Sequence, residues 1–339
     1  MAETTCLAID AMGGDYGPNT IVVAALLALR ANPNLHLLLV GDTAALQQAL
    51  AAEKISAGEH ARLQIMHASE VVAMDELPSK ALRNKKDSSM RVAINLVKER
   101  RAQGMVSAGN TGALMATAKF VLKTLPGIDR PAICAPMPSS SGRPYMLDLG
   151  ANAECTPEQL TQFAVMGSAL VTALHGVERP RVALLNIGAE EMKGNDTIKA
   201  ASASLQTTGL NYIGFIEGDG IFRGEADVVV CDGFVGNIAL KTGEGVAKLV
   251  RDFMKAEFLA SPFSKLAALI AKPVLTRLAA RIDPRNYNGA ALLGLNGLVI
   301  KSHGGADARS FANAIAVAVE AVGHDVTGRT RSLMAAAST

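Results

Sequence analysis

Two kinds of apolar pattern alternate along the first third of the chain. "TTCLAID", "HLLLVGD", "RLQIMHA" and "GMVSAG" are short apolar runs that stop at polar or glycine positions. Between them, "NTIVVAALLALRAN" and "TAALQQALAAEKI" repeat apolar residues at helical spacing. The alternation predicts strands joined by helices, hence a mostly parallel sheet sandwiched by helices in an α/β chain. Around Pro131 the rhythm changes: "PAICAPM" and "PYMLDLG" flank the turn-rich "PSSSGR", which predicts an antiparallel hairpin. A helix follows, with Thr156 as N-cap, Pro157 at its first position and Gln159 completing a capping box. "RVALLNIG", "NYIGFIEG" and "ADVVVCDG" continue the strand–helix units, and "LLGLNGLVIKSHGG" precedes a closing helix. Neither repeats nor low-complexity linkers interrupt the chain. Residues 1–339 therefore read as one α/β unit, with any second subdomain interwoven.

The polar junctions after the strands carry the chemistry. In a parallel sheet such junctions share one edge, where helix amino ends offer free N–H groups to an anion. "SAGNTG" supplies hydroxyl or amide donors from Ser107, Asn110 and Thr111, while Gly109 and Gly112 let the backbone approach a ligand closely. A plain helix cap accounts for this segment taken alone. Four comparable junctions strengthen the anion reading: Asp10 with Gly13, Gly14 and Asp15; Asp148 with Asn152; Asn186 through Lys193; and Asp232 with Asn237 and Lys241. The five are expected to converge on one cleft. Arg83, Lys85 and Lys86 add cationic groups that suit a phosphate or an acidic partner. In "KSHGG", His303 stands before paired glycines at a strand end, where it can donate to a phosphate or protonate a leaving group.

Composition narrows the classes. Among 339 residues, 49% are hydrophobic, enough for a large core, and a net charge of +2 argues against nucleic-acid binding through bulk electrostatics. Four cysteines without CxxC spacing fit a reducing compartment, and the amino terminus lacks a signal-peptide pattern, so a cytoplasmic location is expected. "SAGNTG" has no Walker A lysine, and its glycines do not fit G-x-G-x-x-G.

"DAMGGDYGP", "KKDSSM", "SAGNTGA", "DLGAN", "LLNIGAEEMKG", "CDGFVGNIALK" and "NGAALLGLNGLVIKSHG", in this order, resemble the bacterial phosphate acyltransferases of phospholipid synthesis, the PlsX family. The resemblance runs from about Leu7 to about Val322. It implies transfer of a fatty acyl group from acyl carrier protein to inorganic phosphate, an isocitrate/isopropylmalate-dehydrogenase-like fold and a homodimer. It is also compatible with contact to the inner membrane face and to a membrane glycerol-3-phosphate acyltransferase. Phosphate acetyltransferases, a wider similarity, carry segments resembling "DGFVGNIALK" and "LLGLNGLVIKSHGG", which places Ser302 and His303 where phosphate and thioester meet. One departure is Asn288 to Gly294, where many relatives read Gly-Gly-Ala-Pro; it is expected to touch no catalytic group.

The implied reaction needs orientation more than a strong base, because phosphate dianion is itself a competent nucleophile toward a thioester. The expected roles are phosphate holding by Ser107, Asn110, Thr111 and Lys193, with Ser302 and His303 beside the carbonyl oxygen or departing sulfur. Asp232 and Asn237 orient these donors. No metal or cofactor is called for. Cys231 is expected to face the core rather than act as a nucleophile. Residues 255–285 read as an amphipathic, protruding helical pair, acid-free between Phe258 and Ile282, its phase broken at Pro273. It suits anionic lipid, acidic carrier protein or a dimer contact. The alternatives are an NAD(P)-dependent hydroxyacid dehydrogenase of the same fold and a non-catalytic scaffold that binds acyl carrier protein at the membrane.

Overall fold

The computed structural model describes residues 4–337. Their strands are β1 (Thr5–Asp10), β2 (Leu35–Gly41), β3 (Leu63–His67), β4 (Gly104–Ser107), β5 (Ala132–Pro136), β6 (Tyr145–Leu147), β7 (Arg181–Leu185), β8 (Asn211–Ile216), β9 (Val228–Val230), β10 (Ala290–Leu293) and β11 (Leu298–Lys301). They form one 11-stranded sheet in the order β3-β2-β1-β4-β11-β10-β5-β6-β9-β7-β8. Strand residues alternate between its faces. Leu7, Ile9 and Val106 join one buried apolar layer, while Ala8, Met105 and Val299 join another.

Strand direction divides the sheet. β1, β2, β3, β4 and β11 are mutually parallel. β10 runs against both β11 and β5, and β5 runs against β6 in the expected hairpin. β6, β9, β7 and β8 are again parallel to one another. Following these pairings, the β6–β9–β7–β8 half points opposite to the β3–β2–β1–β4–β11 half. The expectation that all five polar junctions share one edge is therefore corrected. Those after β1 and β4 lie at one end of the sheet; those after β6, β7 and β9 lie at the other. The reversal comes from β10 and the β5–β6 hairpin.

The capping box at Thr156 and Gln159 forms as its sequence predicts. The helix Gly233–Leu259 starts at the end of β9 and, like other helices in such units, runs back alongside the sheet. With Pro262–Ile282 it makes the helical pair, joined by a turn in which Ser261 is the N-cap, so the pair begins well before residue 255. Leu259 closes the first helix and Phe263 lies in the first turn of the second, so the two do not share one helical face. Pro273 sits inside the second helix without ending it; on so exposed a helix, water can satisfy the carbonyl that proline leaves without a partner. Phe263 (81% exposed), Ile270 and Leu269 stand in solvent, as do Phe253 and Val246 on the first helix. Among the described residues, no helix is long and apolar enough to cross a membrane.

Candidate active site

Three strands end in one row. Asp10, Ser107 and Lys301 are in register across β1, β4 and β11, so their side chains share a face of the sheet. Asp10 is 1% exposed and accepts hydrogen bonds from Ser89 Oγ and Ser107 Oγ, both at 2.6 Å. One carboxylate thus ties together the end of β1, the end of β4 and the start of the helix Ser89–Lys98. Burial pushes its pKa up despite these donors.

Lys301 is 9% exposed and donates to the carbonyls of Ser302 and, at 3.4 Å, Ala108. Burial lowers its pKa to about 8 against the pull of Asp10 and Asp15. Its ammonium holds two turns from beneath. Above it the backbones crowd: a Cβ on Gly13 would sit 2.8 Å from Gly109 N, so glycine is required at that crossing. Asp15 N–H donates to Gly304 O at 2.9 Å, binding the first loop to the one after β11. The helices Gly17–Ala31, Ser89–Lys98, Thr111–Leu122 and Ala308–Gly323 all start at this edge. Each contributes partial positive charge there.

The opposite half of the sheet reaches this edge through one helix. Lys241, two turns into Gly233–Leu259, has its Nζ 3.1 Å from His303 Nε2. Gly305 N–H faces the other ring nitrogen, Nδ1, at 3.3 Å. A neutral imidazole accepts at one nitrogen only, and an imidazolium at neither. Flanked by two donors, the ring is held neutral: burial first, then the Lys241 and Lys301 charges, lower its pKa, outweighing Glu244 and Asp15. Of the two roles its position suggested, His303 therefore suits donation from a neutral N–H, once Lys241 turns away from Nε2, better than protonation of a leaving group. Ser302 is fully buried, its hydroxyl bonded by Asn288 Nδ2 at 2.8 Å, so the hydroxyl is committed within the protein. Asn288 Oδ1 also accepts from His303 N–H at 2.9 Å. The departure at Asn288 thus touches the site directly, contrary to expectation.

The "SAGNTG" side chains are largely spoken for. Ser107 gives its proton to Asp10 and accepts Gly109 N–H. Asn110 caps its helix at Ala113 N–H, and its Nδ2 donates to Met74 O at 2.8 Å and Glu76 O at 3.0 Å. It is a cap and a loop tether, with no donor left over. What remains for an anion is the Thr111 hydroxyl, which Asp10 and the 73–76 loop do not engage, and the backbone: Thr111 and Gly112 lie in the first turn, where amides lack helical partners. Arg83, Lys85 and Lys86 end or follow the Pro78–Asn84 helix, whose Pro78 packs beside Gly112; Arg83 and Lys86 face solvent.

At the far edge, Asp148 is buried and accepts from Ile133 N, Ala151 N, Asn152 N and Asn152 Nδ2. Asn152 also donates to Pro131 O. Both organise the turn after β6. Asp232 caps the Gly233–Leu259 helix through Val235 N–H at 2.8 Å, and Asn237 packs beside Gly150. Neither touches Ser302 or His303; it is Lys241, one turn beyond Asn237, that does. Lys193 lies in a loop closed by Asn186 Nδ2 on its own carbonyl, at the end of the sheet away from Asp10. Sequence reading missed Ser89 and Asn288. A second serine after the Ser88 cap was the available signal for the first.

A phosphotransacetylase from Streptococcus pyogenes shares this fold, with a TM-score of 0.62 at 18% identity, covering 96% of this chain and 94% of that one. A branched-chain phosphotransacylase from Enterococcus faecalis aligns with a TM-score of 0.58 at 14% identity, over 94% of this chain and 99% of its own. The architecture is therefore the phosphotransacylase fold. Sequence supplies the narrower assignment: the chain belongs to the fatty acid synthesis protein family, matched over residues 5–329. A phosphate acyltransferase from Alkalilimnicola ehrlichii is 58% identical over 340 residues, 99% of each chain. One from Methylococcus capsulatus is 58% identical over 336 residues, 98% of each.

Proposed function

We propose that this acyltransferase moves a fatty acyl group from the thioester of acyl carrier protein to inorganic phosphate, giving acyl phosphate. Acyl transfer to phosphate is supported by family membership and by relatives named for that activity. The observation that carries the site is the Lys241–His303 contact above buried Lys301, at an edge where helix amino ends gather. Phosphate settles between Lys241 and the first-turn amides of Thr111–Leu122, where cation and helix dipole favour its charge. A phosphate oxygen attacks the carbonyl carbon, the carbonyl oxygen gains charge, and the C–S bond then breaks to release carrier thiolate. When Lys241 turns from His303 Nε2 to the bound phosphate, Nδ1 keeps the Gly305 N–H and the neutral Nε2–H donates to the oxygen as it becomes anionic, a contribution of ~3 kcal/mol for one well-aimed donor. A thiol of pKa ~8.5 leaves without obligatory prior protonation.

The stretch from Phe258 to Ile282, acid-free in sequence, with lysines and with Phe263, Leu266, Leu269 and Ile270 exposed, supports docking of an acidic carrier at an anionic membrane surface. A second copy of the chain is the competing occupant. Phosphate-dependent release of the carrier thiol tests the function. A thioester that stays intact in the presence of phosphate overturns it, and NADP reduction with a hydroxyacid restores the dehydrogenase alternative.

A further inference from the structure

We infer that Asn288 is the positioning residue for His303, an inference that rests on the function proposed above. Its amide makes three bonds: Oδ1 accepts His303 N–H at 2.9 Å, and Nδ2 donates to Ser302 Oγ at 2.8 Å and to Ser310 O at 2.7 Å. Backbone groups fix the amide's orientation, because His303 N–H can only donate and the Ser310 carbonyl can only accept. Exchanging oxygen and nitrogen would set donor against donor at His303 and acceptor against acceptor at Ser310. The Ser302 hydroxyl, receiving from Nδ2, turns its own hydrogen toward His303 O at 3.5 Å. Asn288 thereby holds the His303 backbone N–H and the Ser302 hydroxyl, in the two residues that precede Gly304.

Asn288 is itself anchored from behind. Asn313 Nδ2, on the Ala308–Gly323 helix, donates to the Asn288 carbonyl at 2.9 Å. Gly289 follows at φ +113°, and a Cβ there would meet Ala314 Cα at 2.9 Å, so the chain is pressed against that same helix. The route is continuous: a rigid helix fixes Asn288, and Asn288 fixes the segment that carries the imidazole. The His303 ring has Lys241 and Gly305 as its contacts. Without Asn288 its backbone loses a restraint that no ring contact replaces.

The three bonds make Asn288→Asp diagnostic. A protonated carboxyl donates to Ser310 O and accepts from His303 N–H, reproducing the two bonds to backbone groups. An ionised one sets oxygen against oxygen at Ser310, 2.7 Å apart in the present geometry. The test measures phosphate-dependent thiol release against pH for wild type, Asn288→Ala, Asn288→Asp, His303→Ala and the Asn288→Ala/His303→Ala double variant, with melting curves for each. We expect Asn288→Ala to lose about tenfold or more in kcat with KM for phosphate little changed. Asn288→Asp regains activity as pH falls through its carboxyl pKa, a limb absent from Asn288→Ala. The double variant is no slower than His303→Ala alone. An unchanged kcat in folded Asn288→Ala, or aspartate and alanine variants with the same pH profile, overturns the inference. A wild type that releases no thiol with phosphate instead overturns the function on which it rests.

Discussion

Lys241 and His303 lie 62 positions apart in sequence, yet their side-chain nitrogens approach to 3.1 Å. The two residues belong to halves of the sheet whose strands run in opposite directions, so no shared strand edge brings them together. The Gly233–Leu259 helix does so by running back along the sheet from β9. The contact pairs a cation with a ring that burial and neighbouring ammonium groups hold neutral.

This pairing separates two kinds of loss. Lys241→Met should raise KM for phosphate about tenfold, because it removes charge that serves bound phosphate before and during reaction. His303→Ala should lower kcat roughly 100-fold, since its donor matters as the carbonyl oxygen becomes anionic. Steady-state kinetics with varied phosphate distinguish them. The reverse pattern, a kcat defect in Lys241→Met and a KM defect in His303→Ala, contradicts the assignment.

Lys301 predicts a pH limb. Its pKa is lowered from 10.5 to about 8. The ammonium is lost as pH rises through that value, so kcat/KM for phosphate should fall above about 8. Stability moves the other way. Between about 8 and 10.5 the unfolded chain binds the proton that the folded chain has released, so this group's contribution to stability rises with pH there. Below that window both states are protonated and the burial penalty is fully present. Lys301→Met should remove both trends, read from rate profiles and pH-dependent melting.

Asn110→Ala should be a stability variant. It deletes a helix cap and the bonds to residues 74 and 76, costing about 1 kcal/mol or more by denaturant unfolding. KM for phosphate should change by less than about twofold, because the Asn110 amide spends its donors and acceptor within the protein and keeps none for the ligand. A large rise in phosphate KM returns Asn110 to the anion site.

Cys231 is 2% exposed, lies against the Asp148 carbonyl, and has a thiol pKa raised well above the ordinary value, chiefly by burial. It faces the core, as alternation next to Asp232 predicts. Cys231→Ala should keep phosphate-dependent turnover while losing about 1 kcal/mol of packing. An acyl adduct on Cys231, found by mass spectrometry without phosphate, contradicts direct attack.

The parts legible in sequence were those set locally. Apolar spacing gave the strands and helices, "PSSSGR" the hairpin, and Thr156 with Gln159 a helix start. Strand direction was not legible, because it depends on how β10 and β5 pair across the sheet, more than 100 residues apart in sequence. The same gap misplaced individual donors. Ser107, Asn110 and Ser302 have the right chemistry for phosphate, yet each is turned inward by a partner that only the fold supplies: Asp10, the 73–76 loop and Asn288. Glycines fared better, since Gly13 sits at a backbone crossing that tolerates no side chain.

The central claim is that phosphate attacks the carrier thioester directly, with no acyl group passing through the protein. The most direct measurement incubates the enzyme with acyl carrier protein thioester, with and without phosphate, separates any acyl phosphate from the remaining thioester, converts the separated fraction to hydroxamate with hydroxylamine, and weighs the protein. The account predicts hydroxamate and free carrier thiol only when phosphate is present, and an enzyme mass that never changes. Hydroxamate without phosphate, or an acyl group left on the chain, contradicts it.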